Sequence, residues 1–83
     1  MDEIDHSIES VVIHVVREIV GKSRLVRLSD TFINDLHISS DDLSMYFAPQ
    51  VERRLNVKVP LAEWRNVTTL ADACAVLGKY QSY

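Results

Sequence analysis

The first twenty residues carry apolar side chains at a spacing that places them on one face of a helix. They recur every three or four positions, which is the period of an α-helix, whereas a strand would alternate every second residue. Valine and isoleucine are weak helix formers, so the period decides this assignment against the intrinsic propensity. Gly21 follows the last apolar position and suits a C-terminal cap. The stripe consists of Ile4, Ile8, Val11, Val12, Val15, Val16, Ile19 and Val20.

A second helix is predicted where two serines precede an acidic pair. Ser39, followed three residues later by Asp42, resembles a capping box, so the helix should start near Ser39 or Ser40. Asp41 and Asp42 in the first turn also suit the positive end of the helix dipole. Pro49 lacks an N–H group and crowds an earlier carbonyl, so we expect a kink, or a break that opens a new helical segment. The apolar face comprises Leu43, Phe47, Val51 and Leu55.

The connection between these helices, residues 22–38, is too apolar for a free linker. We expect it to pack against the helices, with a short helical turn around residues 31–36. A basic cluster lies at its beginning, where an anionic headgroup or RNA would be attracted, although an ordinary solvated surface is the simpler interpretation. The cluster comprises Arg17, Lys22, Arg24 and Arg27.

The last third of the chain contains two further helical signals. Residues 59–60, Val-Pro, mark an extended turn, and one short helical turn anchored by Trp64 should follow. Thr69 and Asp72 have the spacing of a capping box that opens the last helix. Gly78 is expected to end that helix. Its predicted buried stripe comprises Leu70, Ala73, Cys74 and Leu77.

These patterns predict an all-α fold, a small bundle of three or four helices in one domain over residues 1–83, with a frayed tail at 79–83. Of the 83 residues, 47% are hydrophobic, which suits one small core. The net charge of −3 argues against general nucleic-acid binding, which requires a basic excess. Three features favour a cytoplasmic protein. Cys74 is the only cysteine, and the acidic first residues are unlike a signal peptide. In addition, no apolar run approaches the roughly 18 residues that a membrane span requires. We therefore expect a monomer without stable membrane insertion.

Three short groups of residues are informative in combination. They are F-I-N-D-L at residues 32–36, V-P at 59–60 and V-T-T-L at 67–70. In order and separation they resemble the anchors of the acyl carrier protein family, and the resemblance covers nearly the whole chain. It implies a helical bundle that docks on partner enzymes and is not itself an enzyme. It also implies a 4′-phosphopantetheine arm on the serine of a D-S-L triplet.

The D-S-L triplet is missing from this chain. Residues 37–43 read H-I-S-S-D-D-L, with His37 at the position of a glycine in that family. Counting forward from the F-x-x-D-L segment aligns Ser40 with the modified serine. Counting backward from the Val-Pro step aligns Asp41, and matching the leucine aligns Asp42. Only Ser40 could be modified, because a carboxylate cannot form the stable phosphodiester of the arm.

Two hypotheses follow for function. In the first, this acyl-carrier-like domain docks on enzymes of fatty acid or secondary metabolite biosynthesis and carries acyl thioesters on an arm at Ser40. Its bundle interior would shelter the acyl chain near Phe47, Val51 and Leu70. In the second, the chain is a serine-less relative, a regulatory or structural interaction module without a prosthetic group. The partner-binding residues that the resemblance implies are Asp35, Asp41, Asp42, Met45, Arg53 and Arg54, of which the arginines depart from the acidic pattern of the family.

No pattern predicts catalysis by this chain alone. His37, Ser40 and Asp41 are near-adjacent, whereas a catalytic triad is assembled across a fold. The only glycines are Gly21 and Gly78, so the sequence contains no glycine-rich phosphate loop. The three histidines are scattered and form no cluster with the cysteine that would indicate zinc.

Overall fold

Helices and short connections alternate through residues 8–81, the part of the chain that the computed structural model describes. The all-α prediction is confirmed: these residues form four helices and no strand, with one isolated antiparallel bridge between Thr31 and Thr69. The second helix, residues 40–55, runs through three successive segments. In chain order the elements are α1 (Ile8–Val20), α2 (Ser40–Asp42), a π-helical segment (Leu43–Phe47), α3 (Ala48–Leu55), α4 (Leu61–Arg65) and α5 (Leu70–Tyr80).

The apolar stripe of α1 forms one side of the core. Val12, Val15 and Val16 are fully buried, as their spacing predicts, and α1 packs against α5 and α3. Burial of each such side chain contributes about 1.5–3 kcal/mol, which compensates for the low helix propensity of valine. Gly21 ends the helix at a φ of 120° and donates its N–H to the carbonyl of Arg17, so the predicted cap is confirmed. Ile4, the first residue of the predicted stripe, lies outside the described residues.

Three aromatic rings join the connection, the second helix and α4. The ring of Phe47 lies between those of Phe32 and Trp64, with centroid distances of 5.0 and 5.8 Å in edge-to-face geometry. All three side chains are buried. Such aromatic pairs contribute about 0.5–1.5 kcal/mol each beyond the burial of their area. The predicted anchoring of α4 by Trp64 is therefore confirmed.

Pro49 is the second residue of α3, and the backbone before it is π-helical. The N–H of Ala48 donates to the carbonyl of Leu43, five residues earlier, which is the π-helical pattern. Pro49 has no N–H for the carbonyl of Met45, and its ring would crowd that carbonyl in a regular α-helix. The wider turn ahead of Pro49 accommodates this missing bond. Pro49 thus opens a new α-helical segment, one of the two predicted outcomes, while the chain remains helical.

The last helix is longer than predicted. Thr69 and Asp72 form the expected capping box, but Gly78 does not end α5, which continues to Tyr80. The tail prediction is wrong for Lys79 and Tyr80, because the Glu63 carboxylate accepts hydrogen bonds from the Lys79 ammonium at 3.1 Å and the Tyr80 hydroxyl at 2.6 Å. Residues 82–83 lie outside the described part of the chain. Of the predicted buried stripe, Leu70, Ala73 and Leu77 are buried and Cys74 is half-buried.

The connection is held against the start of α5 by backbone hydrogen bonds. The N–H of Phe32 donates to the carbonyl of Thr68 at 3.0 Å, and the N–H of Leu70 donates to the carbonyl of Asp30 at 3.1 Å. Residues 31–36 form a hydrogen-bonded turn in place of the predicted helical turn. The N–H of Leu36 reaches the carbonyl of Thr31, five residues back, so the turn is too wide for an α-helix.

Candidate functional site

Ser40 is the first residue of the second helix, and its side chain is exposed. The N-cap is Ser39, whose hydroxyl accepts the N–H of Asp42 at 3.1 Å. The predicted helix start and this capping bond are therefore confirmed. The capping bond is made by Ser39, and the exposed Ser40 hydroxyl has no hydrogen-bond partner within residues 8–81.

The turn before Ser40 sets the direction in which the chain enters the helix. The carboxylate of Asp35 accepts the backbone N–H of Thr31 at 2.8 Å and its hydroxyl at 3.1 Å. These hydrogen bonds lower the pKa of Asp35, so its carboxylate stays ionised and closes the turn. His37 then adopts a φ of 58°, in the left-handed region that favours glycine.

A cavity of about 490 Å³ opens directly beside Ser40. It lies between the turn at residues 31–36, the start of the second helix and α4. Leu43 and Trp64 contribute to its apolar lining, while Asp41 and Arg65 bring charge to it. The volume is in the range of small-molecule sites. The structure thus gives Ser40 an adjoining space that is partly apolar and partly polar.

This cavity differs in position from the predicted shelter for an acyl chain. Phe47, Val51 and Leu70 are fully buried in the core, and none of them lines the cavity. Its outer wall is formed by α4, including Leu61, which is 53% exposed. No periodic pattern predicts this wall, because α4 has only five residues.

Five of the six predicted partner-binding residues lie on the second helix, divided between its two ends, whereas Asp35 lies in the turn before it, with its carboxylate bonded to Thr31. Asp41, Asp42 and Met45 are exposed in its first half, and Met45 is 77% exposed. Arg53 and Arg54 lie near its C-terminal end. At 1.5 Å per residue, Arg54 is about 20 Å along the helix from Ser40. The acidic residues therefore surround Ser40, while the two arginines belong to another part of the surface.

The arginines also differ from each other. The guanidinium of Arg54 contacts the carboxylate of Glu18 on α1 at 3.2 Å, and Glu18 also contacts His14 at 3.1 Å. The side chain of Arg53 is exposed and has no ion-pair partner within residues 8–81. Only Arg53 is thus available on this end of the helix without breaking an internal contact.

The comparisons leave the resemblance as a hypothesis. The chain matches no family model, no curated protein and no solved structure. Within residues 8–81, no group of three or more His, Cys, Asp or Glu side chains could hold a metal ion. None of the helices in this part of the chain is long and apolar enough to cross a membrane.

Proposed function

We propose that this protein is an acyl-carrier-like docking domain that bears a 4′-phosphopantetheine arm on Ser40. The observation that carries the proposal is the environment of the Ser40 hydroxyl. It is exposed at the first position of a helix, next to a cavity, and its neighbour Ser39 performs the capping. When bound, the arm supplies a thiol that holds acyl groups as thioesters.

The residues around Ser40 fit such a group. The N-terminal end of the second helix favours a phosphate, because its first N–H groups carry partial positive charge. Arg65 at the cavity adds a full positive charge, which offsets part of the repulsion from Asp41 and Asp42. The apolar lining at Leu43 and Trp64 suits the hydrocarbon portions of an arm or its cargo.

The acidic start of the second helix supplies the docking surface in this proposal. Asp41 and Asp42 are exposed there, and the exposed Met45 provides an apolar contact nearby. Complementary charge accelerates encounter and selects partners more than it raises affinity. The expected partners are acyl-handling enzymes with basic surfaces.

The test is the intact mass of the protein after incubation with coenzyme A and a broad-specificity phosphopantetheinyl transferase. The parent should gain one phosphopantetheine group and Ser40→Ala should gain none. Ser39→Ala is the matched control, since it removes the cap and keeps the acceptor, and it should still be modified. An unmodified parent beside a fully modified acyl carrier protein control would overturn the attachment.

One observation favours a second candidate, an unmodified regulatory or structural interaction module. Asp41 follows Ser40 directly, where the D-S-L triplet has leucine, and it lies within the surface that a modifying enzyme must recognise. Under this alternative the acidic helix start would bind partners without any arm. Failure of modification in the experiment above, together with loss of partner binding in Asp41→Lys/Asp42→Lys, would support it.

A further inference from the structure

A groove of about 830 Å³ lies on the surface where α1 approaches the end of α3. It runs along α1 past Ile13 and Arg17 to Lys22, and Arg54 of α3 borders it. This groove is separate from the cavity beside Ser40, since the two share no lining residue. Nothing in the proposed function uses it.

The charge of the groove is opposite to that of the whole chain. Three cationic side chains, those of Arg17, Lys22 and Arg54, line it with one carboxylate, Glu18, while the net charge of the protein is −3. Arg54 pairs with Glu18. The guanidinium of Arg17 donates to the backbone carbonyl of Lys22 and has no carboxylate partner within residues 8–81. Within residues 8–81 the Lys22 ammonium has no partner, so two positive charges face solvent here.

An apolar side chain, Ile13, lines the groove one helical turn before Arg17. Ile13 is half-buried but does not pack against the core, because it falls outside the buried stripe of α1. Val11, by contrast, also lines the groove but packs against the core. The groove therefore combines a local positive charge with an apolar contact that the fold itself does not use.

We propose that this groove, with Ile13, Arg17, Lys22 and Arg54 as its contacts, binds an acidic segment of a partner protein that also presents an apolar side chain. The carboxylates of that segment would meet Arg17 and Lys22, and its apolar residue would cover Ile13. Charge complementarity selects this occupant. RNA is disfavoured because, within residues 8–81, no Phe, Tyr or Trp side chain lines the groove for base stacking.

The test is fluorescence polarisation with a fluorescein-labelled peptide that carries glutamate at most positions and leucine at every fourth. A matched peptide with glutamine in place of glutamate is the control ligand. The parent should bind the acidic peptide saturably, and binding should weaken as salt is raised. Arg17→Glu/Lys22→Glu should weaken it at least about tenfold. Lys58→Glu, a charge reversal at an exposed lysine outside the groove, should change it less than about twofold.

Several outcomes would overturn the proposal. These are the absence of saturable binding, equal binding of the glutamine peptide, or equal weakening by Lys58→Glu. Tighter binding to vesicles of phosphatidylserine or to single-stranded RNA would assign the groove to a different class of ligand. If circular dichroism shows that the double variant does not fold, Lys22→Gln serves in its place, since Lys22 lies beyond the end of α1. Ser40→Ala should bind the peptide normally, so failure here is distinguishable from failure of the carrier proposal.

Discussion

Ser39 and Ser40 are neighbours in different environments, and their replacement should have different effects on stability. Ser39→Ala removes the hydroxyl that accepts the N–H of Asp42, so the free energy of unfolding should fall by about 1 kcal/mol. Ser40→Ala removes an exposed hydroxyl and should change it by less than about 0.5 kcal/mol. Urea unfolding of both variants measures the difference. An equal or larger loss in Ser40→Ala would contradict the division of roles on which the proposed function rests.

The half-buried thiol of Cys74 should react slowly. Burial, assisted by the nearby charge of Glu9, raises the pKa of Cys74 to about 11, whereas an ordinary cysteine has a pKa of about 8.5. Alkylation depends on the thiolate, so at pH 8 the native protein should react at least about tenfold more slowly than the urea-unfolded chain. The native rate should still be rising at pH 10. Glu9→Gln should increase it slightly, and a rate that levels off near pH 9 would show an ordinary thiol.

At the scale of elements, the two glycines respond to alanine in opposite directions. Gly78 lies inside α5, and an added Cβ would meet Ile8 Cδ1 at an ordinary 3.6 Å. Gly78→Ala should therefore raise the free energy of unfolding by about 0.5 kcal/mol through helix propensity. Gly21→Ala should lower it by about 1 kcal/mol, because alanine is strained at a φ of 120°. Thermal unfolding compares both with the parent, and stabilisation by Gly21→Ala would refute the cap geometry.

The element boundaries that could be predicted from sequence are those with a local cause. Ser39 and Thr69 cap helices with hydrogen bonds to residues three positions on, a relation that spacing alone reveals. The extension of α5 past Gly78 depends on the hydrogen bond from Tyr80 to Glu63, which is distant in sequence. No local sequence pattern therefore predicts it. For Pro49 the sequence predicts only a kink or a break in the helix and not the π-helical segment, because several backbone conformations can accommodate a residue without an N–H group.

For the whole molecule, the free energy of unfolding should be greatest at pH values above the titration of the carboxyl groups and below that of lysine and tyrosine. Hydrogen bonds from Tyr80 and Lys79 lower the pKa of Glu63, and the bonds of Thr31 lower that of Asp35. A lowered carboxyl pKa stabilises the fold above about pH 4, and this stability is lost as pH falls through the folded-state pKa. The bond to Glu63 raises the pKa of both Lys79 and Tyr80, so their contribution is lost as pH rises beyond about 10.

Urea unfolding at a series of pH values measures this profile. Glu63→Gln should reduce the loss of stability at both low and high pH, because it removes the carboxylate that joins α4 to the end of α5. Lys58→Gln is a matched control, since Lys58 is exposed and has no partner within residues 8–81. A profile unchanged by Glu63→Gln would mean that the contact between α4 and α5 does not couple to folding.

The candidate site was predictable in part. The start of the second helix at Ser40, with Asp41 and Asp42 in its first turn, follows from the spacing of the Ser39 and Asp42 capping pair, whereas Ser40 as the attachment site stays a prediction. The cavity beside them required the fold, since Trp64 and Arg65 come from a five-residue helix about twenty positions further along the chain. The pairing of Arg54 with Glu18 of α1 likewise required the fold, because these residues are 36 positions apart in sequence.

The fluorescence of one residue should report whether the cavity is occupied. Trp64 is the sole tryptophan of the chain, and it lines the cavity while its indole N–H donates to Glu52 at 2.9 Å. A group that enters beside Ser40 would change the polarity next to this buried ring, so the emission of Trp64 should respond to occupancy without an added label. Loading, exchange and release at the site could thus be followed in real time on the unaltered protein.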